Sequence, residues 1–395
     1  RNNIMKEKIV YVVSIALSIL YLFAGGKIAS SNLPVFEHIY QDSCEKAQVQ
    51  GIIARQSAAQ EVGGVQYGRG VNIIFGAKLL TGPQKGAMVT ALQNCDPDSP
   101  YQLREVKTGD HVLITQNPDF HGEVKWMMGE YVRTDTLIMF AAAFGLMLIL
   151  FGRFKGVNTI LSLAFTCLAI FAVFVPAILS GKNIYFWAIL TCAFIIIMTL
   201  LIVNGANKKS LCSAIGCFSG ILVSGGLTLF ADKFLQLTGM VDEESLYLKF
   251  LIDDYIIDLK AIIFAAILIG AVGAIMDVAI SLSSALYEVY EATPNCPPAA
   301  IMRSGMTIGR DIMGTMSNTL VLAYIGGSLS LTLLLIAYSS SWLGLLNREM
   351  IVVEILQALV GSFGLLLTIP LTSTVCAAIY CLGKKESKAD APRDN

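Results

Sequence analysis

Long apolar runs separated by short polar segments dominate the pattern of hydrophobic and polar positions along this chain. A helix needs roughly 20 predominantly apolar residues to cross the hydrocarbon core of a bilayer. The runs that approach or exceed this length cover residues 9–24, 137–151, 157–179, 184–203, 211–230, 262–289, 318–337 and 351–382. The pattern predicts a polytopic α-helical membrane protein with about eight transmembrane helices.

Charges beside the apolar runs predict how these helices are oriented. Lys6 precedes the first run, Lys208 follows the fourth, and Lys385 follows the last. Because cytoplasmic loops are enriched in Lys and Arg, these ends and both termini are expected in the cytoplasm. The acidic stretch 231–259 is then expected outside. The first run is interpreted as an uncleaved signal anchor, residues 1–31, although a cleaved signal peptide shares its pattern.

Residues 32–135 have the composition of a water-soluble domain, inserted after the first transmembrane helix on the outer side. Short β-like runs, separated by Gly, Pro and Asp turn signals, predict strands at 49–54, 70–80, 86–93 and 110–114. About five strands in ~100 residues favour an all-β, OB-like or small barrel, or a sandwich. Val71, Ile73 and Phe75 are expected to face its core. The remaining segments are a seven-helix membrane domain and a cytoplasmic tail, residues 136–383 and 384–395.

Composition narrows the range of functions. The chain is 55% hydrophobic and 14% charged, with a net charge of −1, whereas a soluble domain carries about 25% charged residues. No basic cluster is interleaved with aromatic residues, so nucleic acid is not an expected partner. The cysteines form no CxxC pair and the histidines match no ligand spacing, so neither a metal nor a cofactor is expected. A Cys44–Cys95 disulfide stays open.

The strongest chemical signal is a polar stripe in the run 262–289. Residues three and four apart share a face of a helix. Here that face carries only small, hydroxylic or acidic residues, namely Gly270, Gly273, Asp277, Ser281, Ser284 and Glu288. A carboxylate within a membrane is costly unless it is paired, protonated or hydrated. The stripe is therefore expected to face protein or a water-filled cavity, and Asp277 and Ser281 become candidate ion-binding residues.

An amphipathic helix is predicted after Pro298, leading into the next apolar run. Its polar positions supply three further candidates for substrate or ion binding, which are Arg310, Asp311 and Asn318. Two interpretations of Asp277 stay open. It is either an exchangeable proton or cation site, or a structural partner of Arg303 or Arg310.

The last apolar run is too long for one straight transmembrane helix. Pro370 lacks a helical hydrogen bond, so a kink or a partly unwound helix is expected there. Glu354, near the outer end of this run, is interpreted as a solvated interfacial carboxylate. The residues expected to allow close helix packing, or to bend a helix, are Gly270, Gly273, Gly361, Gly364 and Pro370.

Three blocks resemble the core motifs of the YibE/F family of bacterial membrane proteins. These blocks are GAVGAIMDVAIS at 270–281, GRDIMGTMSNTL at 309–320 and GSFGLLLTIPLT at 361–372. The N-terminal anchor followed by a β-domain resembles the longer, YibE-type member. The resemblance implies a multipass protein of the bacterial plasma membrane, but it implies no particular activity. Expected partners are the lipid bilayer and either a second family member or further copies of this chain.

Two functions from different classes remain. The first is a secondary transporter or permease of unspecified substrate, with Asp277 as its proton or cation site. The alternative is a non-transporting envelope scaffold or assembly factor whose external β-domain binds a partner. An enzyme is not expected, because the chain has no phosphate-binding GxxxxGK[ST], no HExxH and no GxSxG.

Overall fold

The computed structural model describes residues 2–32, 44–57, 60–62, 65–67, 70–95, 104–116, 125–250, 256–293, 296–338 and 341–389. The chain divides into two compact units. One unit combines Arg1–Pro34 with Leu148–Asn395, and the other is Val35–Met147. Each unit has its own hydrophobic core.

The described helices are α1 (Asn2–Ala29), α2 (Thr134–Gly152), α3 (Phe154–Leu168), α4 (Val175–Leu179), α5 (Ile184–Thr199), α6 (Lys208–Leu235), α7 (Glu243–Lys249), α8 (Leu259–Ala292), α9 (Pro298–Gly327), α10 (Leu329–Tyr338), α11 (Trp342–Leu346) and α12 (Glu349–Ala389). Two π-helical segments, Ala169–Phe174 and Leu200–Asn204, join α3 to α4 and extend α5. In the described chain, seven spans are long and apolar enough to cross a membrane, and the bent pair α9–α10 would add an eighth. The prediction of about eight agrees with this range.

The prediction that residues 318–337 form one straight transmembrane helix is wrong. Its first half continues the amphipathic segment, so that both form the 30-residue helix α9. The chain then breaks at Ser328, and α10 departs at an angle of 62°. Gly326 and Gly327 precede the break, and glycine lowers helix propensity by about 1 kcal/mol relative to alanine. These two residues explain why the helix ends inside an apolar run.

The partly unwound helix expected at Pro370 is also wrong. Helix α12 runs without interruption through this residue. Packing on both sides holds the helix, because Thr368 lies against Gly220 of α6 and Ile369 lies against Gly309 of α9. The lost hydrogen bond of one proline is therefore tolerated without a break in the helix.

Helix α8 lies at the centre of the larger unit and packs against α5, α6, α9 and α12. Its buried apolar residues include Ile275, Val278 and Leu282, each at most 1% exposed. Glycines let α6 and α12 approach closely beside it. A Cβ added at Gly364 would overlap the hydroxyl of Ser224, and one added at Gly216 would overlap that of Thr372. Small residues in such contacts allow close approach of helix backbones.

Polar side chains fix the ends of several helices. Asn207 caps α6 by accepting a hydrogen bond from the Ser210 amide at 2.8 Å, as N-terminal caps commonly do. Glu349, at the start of α12, accepts bonds from the amide and hydroxyl of Thr238, each at 2.7 Å, and from the Gly239 amide at 2.6 Å. This carboxylate ties the loop after α6 to α12.

The smaller unit contains a closed five-stranded barrel. The described strands are β1 (Cys44–Ser57), β2 (Gln60–Val62), β3 (Val65–Tyr67), β4 (Val71–Leu79), β5 (Met88–Cys95), β6 (His111–Gln116) and β7 (Trp126–Tyr131). The barrel order is β1-β4-β5-β7-β6, with β6 pairing back to β1, while β2 and β3 form a separate hairpin. The pair β5–β7 is parallel and the other barrel pairs are antiparallel. The small barrel is confirmed, and the sandwich is excluded.

Alternation along β4 builds the core of the barrel. Ile73 and Phe75 are fully buried, and Val71 packs against this core from a partly buried position, as predicted. Gln93 is the buried polar exception. Its amide donates to the Arg104 carbonyl and accepts from the Val106 amide, both at 2.8 Å, so its polar atoms are satisfied.

The Cys44–Cys95 disulfide does not form within this chain. Cys44 begins β1, whereas Cys95 pairs with Val71, which in turn pairs with Ser57 at the other end of β1. At ~3.3 Å per residue the two ends of this strand are about 40 Å apart along its path, far beyond the reach of a disulfide. Both cysteines are free, and burial raises the pKa of both thiols.

Helix α2 follows the barrel almost directly. The Val132 amide donates to the His111 carbonyl at 3.0 Å, and the Arg133 carbonyl accepts from the Leu137 amide at 3.1 Å. The ammonium of Lys46 in β1 pairs with the Asp135 carboxylate at 2.6 Å. None of the residues of α2 is buried.

Candidate functional site

The polar stripe of α8 lies on the open side of the helix. Gly270, Gly273, Asp277, Ser281 and Glu288 are all exposed, whereas the apolar faces pack against neighbouring helices. Asp277 is exposed at the surface of the bundle, while Gly270 on the same stripe lies against Tyr324 of α9. The stripe therefore meets protein near both ends, at Gly270 and at Glu288, which pairs with Lys209. The face around Asp277 and Ser281 is exposed and can meet water or another molecule.

Asp277 has no polar partner within the described chain. Its carboxylate takes part in none of the hydrogen bonds or ion pairs found there. Arg303 and Arg310 likewise form no ion pair with a described residue. The structural pairing of Asp277 with either arginine is thus not formed in this structure.

Ion pairs near both ends of α8 mark the depth of Asp277. Glu288 pairs with Lys209 at 2.9 Å, and Lys260 pairs with Asp232 at 3.3 Å. At ~1.5 Å per residue, Asp277 lies about 16 Å from Glu288 and about 26 Å from Lys260 along the axis. The carboxylate therefore lies in the interior of a helix long enough to cross a membrane.

Helix α9 runs antiparallel beside α8. Tyr324 near its end contacts Gly270, and Gly305 near its start lies against Leu286. Three predicted site residues are exposed on α9, and they are Arg310, Asp311 and Asn318. Asp277 and Ser281 share one face of α8, but no hydrogen bond or ion pair among the described residues joins them to those three.

The predicted packing residues fall into two groups. Gly270, Gly361 and Gly364 lie at close contacts, and a Cβ at Gly361 would be 2.9 Å from Leu320. Gly273 differs, because nothing lies within 4 Å of the position where its Cβ would be. Pro370 is partly buried inside α12.

Sequence reasoning missed two polar features of the bundle. Glu354 is partly buried and lies beside Ser328 at the α9–α10 break, rather than standing in solvent. A row of small and hydroxylic residues on α6 faces α8 and α12, and it comprises Ser213, Gly216, Gly220 and Ser224. The spacing of three and four residues in this row was the available signal.

Metal ligands do not converge in the described chain. No group of three or more His, Cys, Asp or Glu side chains is placed there to hold a metal ion. His111 begins β6, and His38 and His121 lie outside the described residues.

The structure defines a class of protein. Its helices are long and apolar enough to cross a membrane, and the central helix carries a carboxylate, Asp277, that has no ion pair among the described residues. The same chain also contains a small β-barrel. A family model described as YibE/F-like protein matches residues 140–382. Because this match covers more than half of the chain, the protein belongs to the YibE/F-like family. No match was found among curated proteins or among solved structures.

Proposed function

We propose that this chain is a multipass membrane permease, a secondary transporter in which Asp277 binds the coupling proton or cation. The observation that carries the proposal is the position of this carboxylate. It lies about 16 Å inside the end of α8 marked by Glu288, and it has no ion pair or hydrogen bond among the described residues. Ser281, one turn further, offers a hydroxyl on the same face.

The solvation of Asp277 supports this function. A carboxylate facing hydrocarbon is costly, so the open side of α8 must meet water or another polar surface in the membrane. A hydrated carboxylate that no arginine holds ionised is free to exchange a proton or a small cation. Small neighbours such as Gly273 leave room beside it.

The proposed placement is the plasma membrane with both termini in the cytoplasm and the barrel outside. The lysines at the cytoplasmic ends support this orientation, including Lys209, which pairs with Glu288. The proposed chemistry is ion-coupled movement of a solute, without a covalent step or a cofactor.

Purified protein in liposomes tests the proposal. With a trapped pH-sensitive dye and an imposed potassium diffusion potential, we expect proton flux at least tenfold above that of empty liposomes. Asp277→Asn should return the flux to the empty level, while Glu291→Gln on the same helix should keep the wild-type rate. A second arm replaces the proton gradient with a sodium gradient. Flux equal to that of empty liposomes in both arms would favour the scaffold alternative.

A further inference from the structure

Helix α9 carries two opposite charges on the side that faces away from the bundle. Its inner side is buried against α12 at Gly305 and Gly309, whereas Arg310 and Asp311 are exposed. Neither side chain takes part in a hydrogen bond or ion pair among the described residues. Adjacent residues of a helix do not face each other. A single chain therefore leaves this cation and this anion without partners.

Contacts along α9 show that it runs beside α12 in the antiparallel direction. A Cβ at Gly305 would meet the Ser373 side chain, and one at Gly309 would meet Ile369, one turn earlier in α12. The two helices thus pass each other turn for turn. Each residue in this part of α9 therefore has a counterpart in α12 at the same level.

This register places Arg310 and Asp311 near the middle of a helix of membrane-spanning length. Positions 368 and 367 of α12 are level with them. The apolar span of α12 is Glu349–Cys381, so these positions lie about 3–5 Å along the axis from its midpoint. A charged side chain at that depth is costly where lipid surrounds it. The outer side of α9 is therefore expected to meet something other than lipid.

Asp277 lies at the same depth as the two charges of α9. Helices α8 and α12 run parallel, since Gly361 lies against Ala271 and Gly364 lies against Ile275. This register sets Asp277 level with position 366 or 367 of α12. Three exposed charges, two acidic and one basic, thus lie at one depth of the bundle.

The arrangement of charges on α9 complements itself. Two copies of one chain have the same orientation in a membrane, so a two-fold axis along the membrane normal brings equal depths together. Arg310 and Asp311 differ in depth by only about 1.5 Å. Across such an axis, Arg310 of each copy meets Asp311 of the other. A second copy therefore supplies both missing charges by symmetry.

We propose that this chain forms a two-fold dimer through the outer side of α9, in which Arg310 of each copy pairs with Asp311 of the other. The dimer removes the charges of α9 from lipid and leaves Asp277 as the acid without a partner at this depth. The interface goes beyond the proposed permease, because its formation does not depend on transport.

Disulfide trapping of the full chain in native membranes tests the interface. In a background free of other cysteines, Asn318→Cys lies seven residues beyond Asp311 and hence on the same side of α9. On mild oxidation with copper phenanthroline, we expect it to form cross-linked dimers. The matched control is Leu222→Cys, which is exposed on α6 within about one turn of the same depth. This control should cross-link at least tenfold less.

Charge substitutions test the ion pairs. When two differently tagged copies are produced together, one tag should recover the other from detergent. Arg310→Asp places acids on both sides of the axis and should lower this recovery at least tenfold. Adding Asp311→Arg exchanges the two charges within each copy, which re-forms the reciprocal pairs, and should restore the recovery.

Several outcomes would overturn the dimer. Equal cross-linking of Asn318→Cys and Leu222→Cys would do so, as would cross-linking of Asn318→Cys to a different protein. Failure of the charge exchange to restore recovery in a folded variant would also count against it. If Arg310→Asp does not fold, Arg310→Gln takes its place, and unchanged recovery would contradict the pairing. A dimer without flux in liposomes would contradict the permease while the interface stands.

Discussion

Asp277 differs from the other carboxylates of the helical bundle in what surrounds it. Asp232 and Glu288 each pair with a lysine, and Glu349 accepts three hydrogen bonds from the loop after α6. Asp277 has none of these partners among the described residues. A carboxylate that contributes no contact to the fold is available for binding, and this distinguishes it from structural acids nearby.

Alanine substitutions at Asp277 and Glu349 test this difference, because their effects on the free energy of unfolding can be compared directly. We expect Asp277→Ala to change the free energy of unfolding by less than about 0.5 kcal/mol, because no described partner is lost. Glu349→Ala should cost about 1–3 kcal/mol, since it leaves donors of Thr238 and Gly239 unsatisfied. Thermal unfolding in detergent measures both. A large loss in Asp277→Ala that Arg310→Gln restores would indicate an ion pair after all.

Helix periodicity predicted the polar stripe of α8 because every third or fourth position repeats the same chemistry. It did not predict the break at Ser328, since no charged residue interrupts residues 318–337. Gly326 and Gly327 are equally compatible with close packing inside a continuous helix. Strand β7 was missed for a related reason. It begins with three consecutive apolar residues instead of an alternating pattern, and its place depends on pairing with β5 and β6. Long-range pairing of this kind is not encoded in a local window.

The contact between α6 and α12 depends on glycine at position 364, which lies against Ser224. Gly364→Ala should destabilise the protein by about 1–3 kcal/mol, because the added methyl group overlaps the Ser224 hydroxyl in a packed interface. Adding Ser224→Ala should restore part of the loss, since it removes the overlapping oxygen. The control is Gly314→Ala in α9, where nothing lies within 4 Å, and where better helix propensity should leave stability unchanged or raised. Equal losses for both glycines in a denaturation series would contradict this account.

Composition predicted a water-soluble insert at residues 32–135, and the compact unit that contains the barrel is Val35–Met147. The orientation of the chain in a membrane is still a prediction. Lysines flanking the apolar runs indicate a cytoplasmic position for Lys208 and Lys385 and an outer position for the barrel. The family match covers 140–382 and therefore excludes the barrel. The predicted orientation of the barrel therefore rests only on the distribution of Lys and Arg beside the apolar runs.

Impermeant thiol reagents on intact cells measure this orientation. In a variant that retains only Cys44, we expect labelling from outside, and we expect it to increase as the pH rises, because burial raises the pKa of this thiol and leaves less thiolate at neutral pH. Lys208→Cys in a background free of other cysteines should react only after the cells are opened. Labelling of that cysteine in intact cells would contradict the predicted orientation of the helices.

The short junction between β7 and α2 has a mechanical consequence. Only Val132 and Arg133 separate the two elements, and the backbone of each is engaged in the hydrogen bonding of its neighbour. The Lys46–Asp135 pair braces the joint from the side. A flexible linker would leave a strand and the following helix free to reorient, whereas here two hydrogen-bonded residues and an ion pair connect β7 to the first turn of α2. The first turn of α2 therefore continues from the last barrel strand with little conformational freedom at the junction.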